Sequence, residues 1–216
     1  MTEMNTPDIP SREEIRRVRV MRHTEKIQEK LENARVAVAG LGGLGSNAAF
    51  YLTRIGIGHL HLIDFDEVDL SNLNRQQYRL CHLGMMKTDA LRGELLEIDP
   101  YADIRTDCVK IDESNIDALF ADDDIVCEAF DDPECKSMLV NHMLEKYPGK
   151  YIVAASGMAG YGASNEIKTR QMMPHFTLCG DGVTQGHRGS GLMAPRVAIA
   201  AGHEANAIVE LIINNF

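Results

Sequence analysis

Over its most informative stretch the chain reads Val36-Ala37-Val38-Ala39-Gly40-Leu41-Gly42-Gly43-Leu44-Gly45-Ser46. A short, uncharged apolar run is the pattern of a strand covered on both faces, and the apolar segment after the glycines is helical in character. Glycines placed between such a strand and such a helix allow a tight turn whose amides, together with the helix N-terminus, face an anion. Gly40, Gly42, Gly43 and Gly45 are therefore the expected phosphate loop. Asp64 stands 19 residues beyond Gly45, at the end of the next apolar run. A carboxylate in that place can accept hydrogen bonds from ribose hydroxyls, so the pair points to a bound nucleotide.

Outward from this stretch, apolar runs alternate with helical segments, the signature of a parallel sheet with helices on both faces. Strands are expected at 36–39, 59–63, 104–109, 125–129 and 151–155, with helices at 44–54, 87–98, 115–120 and 134–146 between them. A further strand is expected at 167–172 and a final Ala-rich helix at 195–213, separated by a long glycine-containing loop, 174–191, that holds Cys179 and His187. The fold class is α/β, Rossmann-like and mostly parallel, preceded by an N-terminal helical arm. Ser11 and Glu14 have capping-box spacing, and Ile15, Val18, Ile27 and Leu31 suggest one arm helix over 11–32. The domains are drawn as the arm, 1–33, and a nucleotide-binding domain, 34–216.

Of the 216 residues, 44% are hydrophobic and 25% charged, as expected of one globular domain with a short appendage. The net charge of −10 disfavours nucleic acid and anionic membrane as partners. The first 33 residues carry seven acidic and seven basic side chains, so the excess belongs wholly to the rest. No apolar run is long enough to cross a membrane, and the polar stretch 1–22 does not resemble a signal peptide, so a cytoplasmic location is expected. The five cysteines form no CxxC pair, so neither a disulfide framework nor a thiolate zinc site is expected.

Beyond Asp64 come Asp66, Asn72, Arg75 and Gln76, and Lys87 opens the next helix. A dinucleotide pyrophosphate is held mostly by backbone amides, whereas two fixed cations beside one cradle suit a triphosphate whose leaving pyrophosphate must be neutralised. The alternative is that Arg75 and Lys87 cap helices or pair with surface acids. Asp131 and Asp132 follow the fourth strand, at the edge where ligands of parallel sheets gather, and one of them could hold Mg²⁺. A solvated acidic turn is the competing reading.

At these residues the sequence resembles the ThiF/MoeB superfamily, the bacterial relatives of ubiquitin-activating enzymes. The similarity lies in 38–46, in Asp64-Phe65-Asp66-Glu67-Val68-Asp69-Leu70-Ser71-Asn72-Leu73-Asn74-Arg75-Gln76, in 84–87 and in Asp131, and it extends over about 35–213. It implies ATP-dependent adenylation of the terminal Gly carboxylate of a small ubiquitin-like sulfur carrier ending in Gly-Gly, with release of pyrophosphate. By that resemblance the four glycines match the phosphate loop and Asp64 the ribose ligand. Asn72, Arg75, Gln76 and Lys87 match the phosphate-contacting set, and Asp131 matches the acid near Mg²⁺ and the adenylate. The short form without zinc ligands resembles the ThiS-linked branch of thiamine biosynthesis, and family members of this kind are homodimers whose arm lends an arginine to the partner's site. Arg22, nearest the core among Arg16, Arg17, Arg19 and Arg22, is the candidate for that role.

This chain departs from the family at two points. The crossover loop reads Gly186-His187-Arg188-Gly189-Ser190 where sulfur-transferring relatives place a reactive cysteine, leaving Cys179 as either a reactive thiol or a plain loop cysteine. The usual arginine motif of the arm is absent. Two other readings follow: activation of a different carboxylate, on a tRNA base or a peptide, and a homologue that binds ATP and carrier without catalysis. His187 is a candidate contact to a carrier tail or adenylate, whereas His59, His61 and His82 are read as packing or surface residues.

Overall fold

Five short strand-forming runs in succession dictate the architecture, four of them largely apolar and the third, Asp103–Asp107, mostly polar. In the computed structural model, which describes residues 9–186, 189 and 191–215, they become β1 (Arg35–Ala39), β2 (His59–Ile63), β3 (Asp103–Asp107), β4 (Ile125–Glu128) and β5 (Tyr151–Ala155). They pair in parallel, and the sheet runs β3-β2-β1-β4-β5-β7-β6, where β6 (Lys168–Met173) is antiparallel to β7 (Phe176–Gly180). Val38 of β1 sits between Leu62 and Cys127, so this strand is central and buried on both faces. Val36 and Val38 point into one apolar cluster, with Leu52, Leu95 and Ile208, and Ala37 and Ala39 point into the other, with Phe120, Leu139 and Met143. Those partners lie on α3 (Gly43–Ile55), α4 (Lys87–Ile98) and α7 (Ala194–Asn215) on one side and α6 (Pro133–Lys146) on the other, with α5 (Ile116–Leu119) beside α6.

The chain order reverses between β1 and β4: β1 leads to β2 on one side, while β4 returns to its other side. Loops leaving the carboxyl ends of two such strands diverge and leave a crevice between them. The glycine loop after β1 and the acidic turn after β4 form its walls.

Two expectations are corrected. The arm is two helices, α1 (Arg12–His23) and α2 (Glu25–Asn33), rather than one. The Ser11–Glu14 capping box forms as read, but Thr24, at φ 99° and ψ 156°, ends α1 and caps α2 through its hydroxyl. That conformation costs a non-glycine residue about 1–3 kcal/mol. Docking supplies the offset: Leu31 enters the main core, the Leu31 carbonyl accepts the Gly58 N–H at 2.9 Å, and Arg19 pairs with Asp99 at 2.8 Å. So α2 belongs to the folded body, while α1 lies on its surface with no buried residue.

The segment expected as one loop, 174–191, contains β7. Phe-Thr-Leu-Cys favours a strand, Pro174 and His175 make the turn of a hairpin with β6, and β7 then slots parallel against β5. The glycines and the proline carried the loop reading and masked the apolar residues among them.

Candidate active site

The crevice between the β1 and β4 ends has a volume of about 840 Å³. Gly40, Gly42 and Gly43 line it, and at Gly40 and Gly43 neighbouring atoms leave little room for a side chain. Gly40 adopts φ +90°, with the Ala129 carbonyl 3.0 Å from where a Cβ would sit. At Gly43 a Cβ would meet Val197 of α7 at 2.9 Å and the Arg75 stem at 3.4 Å. Gly45 does not line the crevice; a Cβ there would lie 1.9 Å from the Gly40 carbonyl oxygen, so its absence lets the loop close onto α3.

Asp64, just past β2 and 8% exposed, accepts the Leu41 N–H at 2.6 Å and the Asp66 N–H at 2.8 Å. It therefore fastens the glycine loop to the second strand while its remaining lone pairs face the crevice. Tyr78 supports the same loop by donating its hydroxyl to the Leu41 carbonyl at 2.8 Å. Burial, with Asp64 and Asp66 nearby, pushes that phenol well above its ordinary range.

Lys87, 6% exposed at the start of α4, reaches into the crevice, with Nζ 2.7 Å from Asp66 and 3.8 Å from Asp64. Its backbone N–H donates to the Asp66 carbonyl at 2.9 Å, which fixes where the side chain starts. Arg75, half-buried, also lines the crevice. It donates to the Ser71 carbonyl and to Asn74 Oδ1, and its buried Nε has no partner among the described residues. Gln76 lines the same wall beside Gly42, its buried Oε1 likewise unpartnered. Asn72 lines it too, but its Oδ1 accepts the Asp69 N–H and closes the turn that carries Arg75.

Across the crevice stand Asp131 and Asp132. Asp132 accepts the Glu134 and Cys135 N–H groups as the cap of α6, and those bonds hold its carboxyl below the usual range. Asp131 is exposed and makes no hydrogen bond among the described residues, so its carboxylate remains available to a ligand. The crevice thus gathers the expected glycines, apart from Gly45, with Asp64, Asp66, Asn72, Arg75, Gln76, Lys87 and Asp131.

Arg22 does not belong to this set. It is exposed in the last turn of α1 and does not line the crevice of its own chain. Cys179 is corrected on both counts: it lies in β7, fully buried, and burial, with Glu204 nearby, pushes its thiol up to about 12. A thiol so placed has no thiolate to react with. His187 lies outside the described residues. His61 is a buried residue of β2 held between Asp107 and Asp123 at 2.8 and 2.9 Å, in keeping with a packing role.

Sequence reasoning missed Lys110, Lys136 and Cys135, which line the crevice, and the wall from Ala155 to Ala159, whose residues are small apart from Met158. Lys136 contacts Glu128, whose carboxyl is raised by burial. The place of Lys136 near the start of the helix that follows Asp131 and Asp132 was the available signal. The wall was legible as glycine-rich text but carried no chemistry of its own.

A phosphate cradle at the switch point of a doubly wound sheet, a buried carboxylate tied to it and two cations beside it define a nucleotide-binding α/β domain of the Rossmann-like class. The ThiF family profile matches residues 15–215. The chain belongs to the ThiF family. It is 32% identical over 197 residues to an adenylyltransferase and sulfurtransferase of Drosophila pseudoobscura pseudoobscura, covering 86% of this chain and 42% of the relative. With the molybdopterin-synthase adenylyltransferase of Haemophilus influenzae it shares 39% over 120 residues, 54% of this chain and 49% of the relative. Among solved structures, the tRNA N6-threonylcarbamoyladenosine dehydratase of E. coli in complex with ATP superimposes with a TM-score of 0.84 at 19% identity, covering 95% of this chain and 97% of that one. The chain spans between 25% and 49% of the length of the curated relatives matched at this level.

Proposed function

We propose that this protein is an ATP-dependent adenylyltransferase that activates the C-terminal Gly carboxylate of a small ubiquitin-like sulfur carrier. The observation that carries the reading is the placement of Lys87 and Arg75 beside one phosphate cradle, with Asp131 across from them. In the proposed step a carboxylate oxygen of the carrier bonds to the α-phosphorus, the bond to the bridging oxygen breaks, and pyrophosphate leaves with the electron pair. The carboxylate is already ionised at neutral pH, so no general base is required. What the protein must supply is alignment and positive charge where negative charge accumulates.

Asp64 would hold the ribose, the amides of Gly40 to Gly43 the phosphates, and Lys87 and Arg75 the departing pyrophosphate. Among the described residues no group of three His, Cys, Asp or Glu side chains forms a metal cluster. Mg²⁺, which is held by one or two carboxylates plus substrate phosphates, fits that arrangement with Asp131 as its protein ligand. When bound it would supply charge neutralisation on the phosphates. No zinc enters the proposal.

The finer reading is a ThiS-like carrier of thiamine biosynthesis and a homodimer whose Arg22 serves the partner's crevice. Relatives named for molybdopterin synthase make a carrier of that kind the direct rival. Carrier-dependent exchange of labelled pyrophosphate into ATP tests the class, and running it with each carrier separates the two. Mixed dimers combining an Arg22→Ala chain with a Lys87→Ala chain test the crossing arm: restored activity supports it, and none argues against it. A second reading, activation of a carboxylate on a tRNA base, is favoured by the match of fold to the dehydratase over 95% of this chain and opposed by the net charge of −10. Retention of tRNA at about 0.2 M salt would favour it. ATP binding without pyrophosphate release for any carboxylate would mark a non-catalytic binder.

A further inference from the structure

The residues that hold Arg75 in place have no part in the family comparison. Asn47, 3% exposed in the first turns of α3, donates through Nδ2 to the Gly43 carbonyl at 2.7 Å and to the Arg75 carbonyl at 3.1 Å. Its Oδ1 accepts from Gln77 Nε2 at 2.7 Å. Both N–H groups and the oxygen of this buried amide are thus engaged. Ser46, one residue earlier, makes the parallel stitch: its hydroxyl donates to the Gly42 carbonyl at 2.6 Å and accepts the Gln77 N–H at 3.1 Å. Two successive helix residues therefore tie the backbone of 75–77 to the two glycine carbonyls at the heart of the phosphate loop.

Asparagine is a poorer helix former than alanine, because its side chain competes for backbone partners outside the helix. Its presence inside α3 calls for a compensating role. Arginine side chains carry about 2 kcal/mol of rotamer entropy, so a guanidinium serves a developing charge well only when its root is already fixed. Arg75 is rooted by Asn47, its stem lies over Gly43, and its guanidinium is steered by Ser71 and Asn74.

We infer that Asn47, locked by Gln77, is a positioning residue that sets Arg75 against the phosphate loop. The inference rests on the proposed function, in which Arg75 meets the triphosphate.

A double-mutant cycle tests it without any carrier. ATP dissociation constants and thermal midpoints are measured for the full chain and for Asn47→Ala, Arg75→Ala and the double variant. Asn47→Ala is expected to weaken ATP about 3- to 5-fold in the native background and not at all once Arg75 is gone, while lowering the midpoint equally in both. Equal weakening in both backgrounds, or none in the native one, overturns the inference and leaves the site intact. An Arg75→Ala chain that binds ATP as well as the native one overturns the reading of the site itself. Should Asn47→Ala not fold, Gln77→Ala, which removes the lock and leaves Asn47, replaces it in the same cycle with the same outcomes.

Discussion

Replacing Lys87 by Met removes one charge from the crevice while keeping most of the side chain's volume. Two effects can be separated in advance. In the unliganded protein Lys87 stands 3.8 Å from buried Asp64 and 2.7 Å from half-exposed Asp66. Losing it leaves two carboxylates with no cation between them. The Asp66 pair is discounted for solvent, so the cost is about 1–2 kcal/mol, read as a fall of about 2–8 °C in the thermal midpoint. In the reaction Lys87 would face the pyrophosphate as it leaves, an interaction stronger in the transition state than in the ground state. Removing one such donor costs about 2–4 kcal/mol, or roughly 30- to 1000-fold in rate. Carrier-dependent pyrophosphate exchange should therefore drop by that factor, while the ATP dissociation constant rises by no more than about 5-fold. A lowered midpoint with unchanged exchange would refute the reasoning and make Lys87 a structural ion-pair partner only.

Other expectations rest on single features. Glu204 is fully buried on α7, neither carboxyl oxygen has a partner among the described residues, and burial raises its pKa well above the usual 4.5. A raised folded value favours the fold below about pH 4.5 and loses that contribution as pH rises, so Glu204→Gln should gain stability over the native chain with increasing pH, by up to about 1.4 kcal/mol per unit. A gap independent of pH, measured by denaturant titration, would contradict this. Gly45→Ala places a methyl 1.9 Å from the Gly40 carbonyl and should lose both ATP binding and several °C of thermal midpoint; calorimetry showing neither would count against the loop packing described. In native protein a thiol reagent should modify exposed Cys81 and Cys108 and spare Cys127 and Cys179 until unfolding, as mass mapping can check.

How much of this was legible in the sequence follows from where each signal resides. β1 announced itself because a strand covered on both faces must be apolar throughout, and the glycine string could only be the turn beyond it. Arg75 and Lys87 were found through a resemblance, since lone cations in a sequence do not reveal what they face. Asp131 and Asp132 were adjacent acids that only the resemblance told apart; the cap of α6, which occupies Asp132, supplies the physical reason. Thr24 was unreadable as a break because its backbone lies where threonine rarely goes, a conformation imposed by the docking of α2. The hairpin strand β7 was lost behind Pro174 and the glycines after it, and with it the burial of Cys179. Asn47 and Gln77 are invisible until folding brings positions 30 apart into one hydrogen bond.

The central claim is that a polypeptide carboxylate takes the adenylyl group from ATP in this crevice. Incubating the protein with ATP, Mg²⁺ and each candidate carrier, then recording intact carrier mass, tests it most directly. A carrier heavier by one adenylyl group is expected, and the adduct should be absent when the terminal glycine is deleted or Lys87 is replaced by Met. Carriers of unchanged mass throughout, alongside ATP that binds and stays whole, would contradict it.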